Sequence, residues 1–106
     1  MPKVRILREA SDEAEAAAAW YERERQGLGT EFFEAIEAGL DVIEDGFLPL
    51  SPMPGISGNQ GAKRLILRRF PYDIVVVDRD DARIVVAFAH HSRKPGYWRD
   101  RTSPHI

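Results

Sequence analysis

The densest chemistry in this sequence lies in His90-His91-Ser92-Arg93-Lys94-Pro95-Gly96-Tyr97-Trp98-Arg99, which joins cations, imidazoles and two large aromatics. Guanidinium groups hold phosphate or carboxylate, and a neighbouring aromatic ring can stack on a base. Histidine is the side chain suited to proton transfer near neutral pH. The same residues also suit a structural clasp, with Tyr97 and Trp98 packed over a core edge. A second group, Arg64 to Tyr72, sets Arg64 and Arg68 at even spacing, hence on one face of a strand. If Leu65 and Leu67 face the core, these arginines form a row of donors for phosphates or carboxylates on the other side. The competing reading is a solvated face, or pairing with acidic residues elsewhere in the chain.

Two other constellations carry less. Gly55 to Lys63 has the look of a phosphate loop, but five residues separate Gly55 from Gly61 and Ala62 stands between Gly61 and Lys63. The Walker spacing needs four residues and an immediate Gly-Lys, followed by a helix rather than a strand. A plain surface loop is the better reading. His90 and His91 are adjacent, so on a strand they point to opposite faces and make a poor chelating pair. No metal and no cofactor is expected.

The elements that must position these residues follow from periodicity. Lys3–Leu7 alternates as a short first strand. A helix capped by Ser11 or Asp12 is expected next, with Ala14, Ala17, Ala18 and Tyr21 along one face and Trp20-Tyr21 as packing material. Gly27 and Gly29 break it. A second helix capped by Thr30 carries the stripe Phe33, Ile36, Leu40, Ile43 and Phe47, and Gly46 ends it. The prolines and glycines of Leu48–Gly61 read as a loop. Lys63–Phe70, Asp73–Asp78 and Arg83–His90 read as strands, with a turn at Asp80-Asp81. The expected fold is α+β, in the order β-α-α-β-β-β, with a helical hairpin on one face of an antiparallel sheet. Residues 1–101 form one domain in this reading, and a frayed tail follows from about Arg101.

Composition narrows the classes. With no cysteine, disulfides, thiolate nucleophiles and Cys-based zinc sites are excluded. No apolar run approaches a membrane span, and no signal segment follows Met1, so a cytoplasmic location without membrane contact is expected. The net charge of −2 hides an asymmetry: residues 1–50 hold 12 acidic against 5 basic residues, and residues 51–106 hold 10 basic against 5 acidic. Only the second half is a candidate surface for anions.

Taken in order, Trp20-Tyr21-Glu22, Gly27-Leu28-Gly29 before Phe32, Arg64 before Phe70-Pro71-Tyr72, and Ala89-His90-His91 with Arg93, Pro95, Gly96, Tyr97 and Trp98 resemble the RelE/ParE toxin superfamily, in the branch called plasmid stabilisation proteins. The resemblance covers about residues 4–101. It implies the toxin of a type II toxin–antitoxin pair, a cognate antitoxin that folds onto it, and a higher-order complex of the two. ParE-like members poison DNA gyrase. RelE-like members cut mRNA on the ribosome, a reaction that needs proton transfer and stabilised phosphorane charge. In a nuclease, His90, His91, Arg93 and Tyr97 would be the catalytic candidates, without a metal. In either case Arg64, Arg68, Arg93 and Trp98 are the candidates for holding the target. A slightly acidic chain suits ribosomal RNA poorly, which favours the gyrase branch. A non-toxic module that only binds its partner is the third reading.

Overall fold

The computed structural model describes residues 3–46, 50–53 and 61–102. The chain runs β1 (Lys3–Ile6), α1 (Arg8–Glu24), α2 (Leu28–Asp45), β2 (Ser51–Pro52), β3 (Lys63–Ile66), β4 (Tyr72–Arg79), β5 (Ala82–His90) and a short 3-10 turn, η1 (Arg99–Thr102). One five-stranded sheet has the order β1-β5-β4-β3-β2. The class is the expected α+β, with both helices on one face.

The details depart from the expectation in ways that have physical causes. β3, β4 and β5 are antiparallel, as short connections require. β1 instead pairs parallel with β5, Lys3 opposite Ala82 and Ile6 opposite Val85, so the sheet is mixed. No tight turn links β1 to its neighbour, so nothing local dictated its direction. Part of the expected loop pairs as β2, with Ser51 opposite Arg64. β3 stops at Ile66, short of Phe70. The Phe47–Pro49 and Pro54–Gln60 portions of that region, and the tail beyond Thr102, lie outside the described residues.

α1 begins at Arg8, ahead of the expected Ser11 or Asp12 cap, with Leu7 as its extended cap residue. Its alanines Ala10, Ala14, Ala17 and Ala18 are buried. α2 begins at Leu28, not after Thr30: three residues, 25–27, separate the helices, and the last of them, Gly27 at φ 89°, is the left-handed residue that starts α2. Gly29 lies inside α2, where a Cβ would sit 2.7 Å from the Ala18 carbonyl oxygen. Its buried face is Phe32, Ile36, Gly39 and Ile43, while Phe33 is 40% exposed. The expected stripe was thus rotated by about one residue at its start. Gly46 does end the helix, at φ 71°.

The main core lies between the helices and one sheet face. Phe32, Ile36, Ile43, Ile74, Val76, Val85 and Phe88 fill it, and Leu65 packs against them beside the buried Leu67. At one end Tyr21 joins Phe32, Phe70 and Tyr72 in edge-on and tilted contacts at 5.0–6.4 Å. Trp20 meets Tyr21 edge-on at 5.2 Å but from outside the core, where it is 51% exposed. On the other sheet face a second cluster contains Met53, Val75, Val86, Ala87, Ala89 and Trp98. The segment after β5 therefore crosses back over the sheet, opposite the helices.

Candidate functional site

Six of the seven residues singled out in the sequence line one cleft. Arg64, His90, His91, Arg93, Tyr97 and Trp98 surround a hollow of about 160 Å³ on the sheet face away from the helices, together with Met53, Ile66, Asp73, Lys94 and Pro95. Arg64 reaches it because Leu65 faces the main core, so its neighbour turns the other way. Arg68 does not join. The strand alternation that set it beside Arg64 ends at Ile66, and the chain bends before Arg68, which is exposed.

Asp73, absent from the sequence-based site, organises one wall. It is 5% exposed and sits on the cleft face of β4, opposite Ala89. Its Oδ2 accepts from Arg64 Nη1 at 3.3 Å, and its Oδ1 is 2.8 Å from His91 Nε2. A carboxylate only accepts, so His91 donates through Nε2–H; in the neutral ring Nδ1 is then the basic nitrogen. His90 has different partners: its Nδ1 accepts from the Ser92 backbone N–H at 3.0 Å, and its ring meets Tyr72 edge-on at 5.1 Å. The two imidazoles therefore serve separate networks, and the described residues contain no group of three metal-ligating side chains.

Tyr97 is held by α1. Its hydroxyl donates to Glu13 Oε2 of α1 at 2.6 Å, and the Arg93 guanidinium lies 3.7 Å from its ring centroid. Burial, and then the Glu13 carboxylate, push the phenol well above its ordinary value. Glu13 also accepts from Arg101 through both terminal guanidinium nitrogens, Nη1 and Nη2, at 3.0 and 3.1 Å. Its Oε1 takes the Phe88 backbone N–H at 3.1 Å, and Arg101 donates to the Val86 carbonyl at 2.9 Å. β1 covers β5 only as far as Val85, so these side chains satisfy the next backbone groups along the strand edge. Arg101, read from sequence as the start of a frayed tail, is thus one of the more firmly held residues of the C-terminal segment.

The charge asymmetry has a double outcome. Glu13 with Arg101, and Glu31 with Arg69, pair the acidic helices with cations of the second half. The two arginines on Glu31, Arg69 first and then Arg25, hold its carboxyl below the ordinary range. Arg93 and Lys94 stand exposed at the cleft instead. Two enclosed donors of cleft-lining residues, Arg64 Nε and Trp98 Nε1, have no hydrogen-bond partner among the described residues.

On the helical face two adjoining apolar hollows share Glu15 and Phe33. One, of about 410 Å³, is lined by Ala18, Ala19, Gly29 and Thr30; the other, of about 250 Å³, by Ile6, Ala14, Ile36 and Leu40. Ile6 and Phe33 are exposed large hydrophobics there.

An α+β domain with a helical hairpin on one face of a mixed five-stranded sheet, and a cationic cleft on the other face, is the class these observations define. No family model and no curated protein sequence matches the chain. Among solved structures, it is similar in fold to a chain of the "Chromosomal ParDE TA system from P. aeruginosa", with a TM-score of 0.64 and 13% identity over 85% of this chain and 96% of that one. At that identity the likeness establishes a shared fold. No helix among the described residues is long and apolar enough to cross a membrane.

Proposed function

We propose that this chain is the toxin component of a type II toxin–antitoxin pair, ParE-like, inhibiting DNA gyrase and neutralised by a cognate antitoxin. The observation that carries the reading is the placement of two unlike surfaces on opposite faces of a fold shared with a ParDE-system chain: a cationic cleft and an apolar groove. The cleft suits contact with the target. The groove, with Ile6 and Phe33 exposed and Glu15, Glu22 and Glu37 along it, suits an amphipathic antitoxin helix carrying basic residues. Burying it would add to the stability of so small a domain.

The state of the proton-handling groups supports gyrase over mRNA as the target. A ribonuclease needs a base and an acid free to exchange protons. The Tyr97 hydroxyl is committed to Glu13 and its pKa is raised, and the basic nitrogen of His90 is occupied by Ser92. The slightly acidic chain also gains little from a dense polyanion such as ribosomal RNA. One observation favours the RelE-like alternative: His91, oriented by the buried Asp73 within a cationic cleft, has the arrangement of a positioned base. Purified gyrase and translating ribosomes separate the readings. The gyrase reading expects the chain to block supercoiling of relaxed plasmid and to leave ribosome-bound mRNA intact. Cleaved mRNA with unimpaired supercoiling would establish the alternative. Neither effect, with antitoxin binding retained, would leave a non-toxic binding module.

A further inference from the structure

We infer that the groove on the helical face takes a basic helix in coiled-coil register, anchored by two large apolar side chains seven positions apart. On α1 the larger hollow is bounded by Glu15, Ala18, Ala19 and Glu22; on α2 the smaller is bounded by Phe33, Ile36, Glu37 and Leu40. Both sets have the spacing i, i+3, i+4, i+7. That is the four-residue hole that receives one knob from a facing helix in a coiled coil. The two hollows are also one heptad apart. From the larger to the smaller, Ala18 and Glu22 give way to Ser11 and Glu15 on α1, and Gly29, Thr30 and Phe33 give way to Ile36, Glu37 and Leu40 on α2. The shift is seven residues on each helix, in opposite chain directions, as an antiparallel hairpin requires. It corresponds to about 10 Å along the helices, which positions i and i+7 of one further helix match. An extended segment does not match it, because its same-face positions fall roughly 7 or 13 Å apart.

Charge and side-chain size select the occupant. Glu15 borders both hollows and Glu37 the smaller; both are exposed, and no Lys or Arg lines either hollow. A partner helix therefore carries Lys or Arg beside its anchors. The walls near the larger hollow are small, Ala18, Ala19 and Gly29, so the bulk that fills it comes from the partner. Phe33 and Ile6, both exposed, give the anchors apolar surface to cover. A helix from a second copy of this chain does not fit. α2 carries six acidic residues and no Lys or Arg, and α1 carries six acidic against two basic, so either would set like charges against Glu15 and Glu37.

This deepens the groove's part in the reading above and rests on that reading only for the partner's identity, so the test uses neither gyrase nor antitoxin. A labelled, capped alanine–lysine helix of about 20 residues, long enough to hold helical structure, carries two leucines seven positions apart. It is titrated into the full chain by fluorescence anisotropy. A second peptide of the same composition has its leucines four apart, which keeps them on one face but spans only about 6 Å. A third replaces the lysines with glutamates. The seven-spaced lysine peptide is expected to bind roughly tenfold or more tightly than the four-spaced one, the value of burying one further leucine. The glutamate peptide is expected to bind more weakly than either. Ala19→Arg, at an exposed helical position on the wall of the larger hollow, should weaken the seven-spaced peptide and leave the thermal midpoint of the chain unchanged. Equal binding of the two leucine spacings would overturn the register, and equal binding of the glutamate peptide would overturn the charge assignment. A dimer of the chain that the peptide dissociates, seen by light scattering, would give the groove to a second copy and overturn the choice of occupant. Each of these results would leave the toxin reading standing, and loss of that reading would leave the peptide binding intact.

Discussion

The Tyr97 hydroxyl donates to Glu13 at 2.6 Å, joining the C-terminal segment to the first helix across 84 residues of sequence. Glu13 collects Tyr97, Arg101 and the Phe88 backbone together, so one carboxylate fixes the strap that carries Arg93 over the cleft. Glu13→Gln is expected to destabilise the protein by about 1.5–3 kcal/mol, the range for hydrogen bonds to a charged group. Urea denaturation measures it. A change within ~0.5 kcal/mol, the scatter of neutral surface substitutions, would mean the strap is held by Trp98 alone.

The same pair sets an alkaline limit. The folded pKa of Tyr97 is raised above its ordinary value of 10.0, by burial and then by Glu13. Below that ordinary value the phenol is protonated in both states and contributes no slope. As pH rises past it, the unfolded chain loses the proton first, so stability falls until the folded phenol also ionises. Stability should therefore decline above pH ~10. Tyr97→Phe should show a shallower decline, read from denaturation midpoints between pH 9 and 11 at fixed salt, as rough bounds around the ordinary phenol value. Identical slopes for the two proteins would contradict this.

The helical hairpin supplies a comparison within one substitution type. A Cβ on Gly29 would meet the Ala18 backbone oxygen at 2.7 Å, whereas one on Gly39 would meet the Ile74 Cδ1 methyl at 2.7 Å. Backbone cannot step aside as a side-chain tip can. Gly29→Ala should cost about 1–3 kcal/mol despite better helix propensity, and Gly39→Ala less. Thermal unfolding of both variants gives the order, and the reverse order would refute this account of the α1–α2 approach.

The two faces should separate genetically. Phe33→Glu puts a charge beside Glu15 in the apolar groove and should prevent neutralisation by the antitoxin while toxicity persists. Arg93→Gln, on the opposite face, should reduce toxicity and leave antitoxin binding unchanged. Growth with and without the antitoxin reads both. A Phe33→Glu chain that is still neutralised would remove the groove from the account.

Much of the cleft was legible in sequence because its residues are local: His90 to Trp98 is one continuous run, and Arg64 follows from strand alternation. Asp73 and Glu13 were not. Glu13 is one of several acidic residues at the start of α1, and nothing local distinguishes the one that turns inward. What distinguishes it is the point where β1 stops covering β5, a tertiary fact. Asp73 left a fainter trace, as a carboxylate opening the otherwise apolar Ile74–Val77 run. On α2, large apolar residues at helical spacing pick out Phe33 rather than Phe32, because the small Gly39 is part of the buried face and carries no hydrophobic signal. Arg68 lies outside the cleft for a related reason: the alternation in the sequence runs on past Ile66, where the strand ends.

The most direct test of the proposed function is pulse-labelling of DNA and protein synthesis in bacteria, just after the chain is induced without its antitoxin. DNA synthesis is expected to stop first, and Arg93→Gln to delay the arrest. Protein synthesis stopping first, with DNA synthesis following later, would contradict it and direct attention to His91 and Asp73 as the working pair of a nuclease.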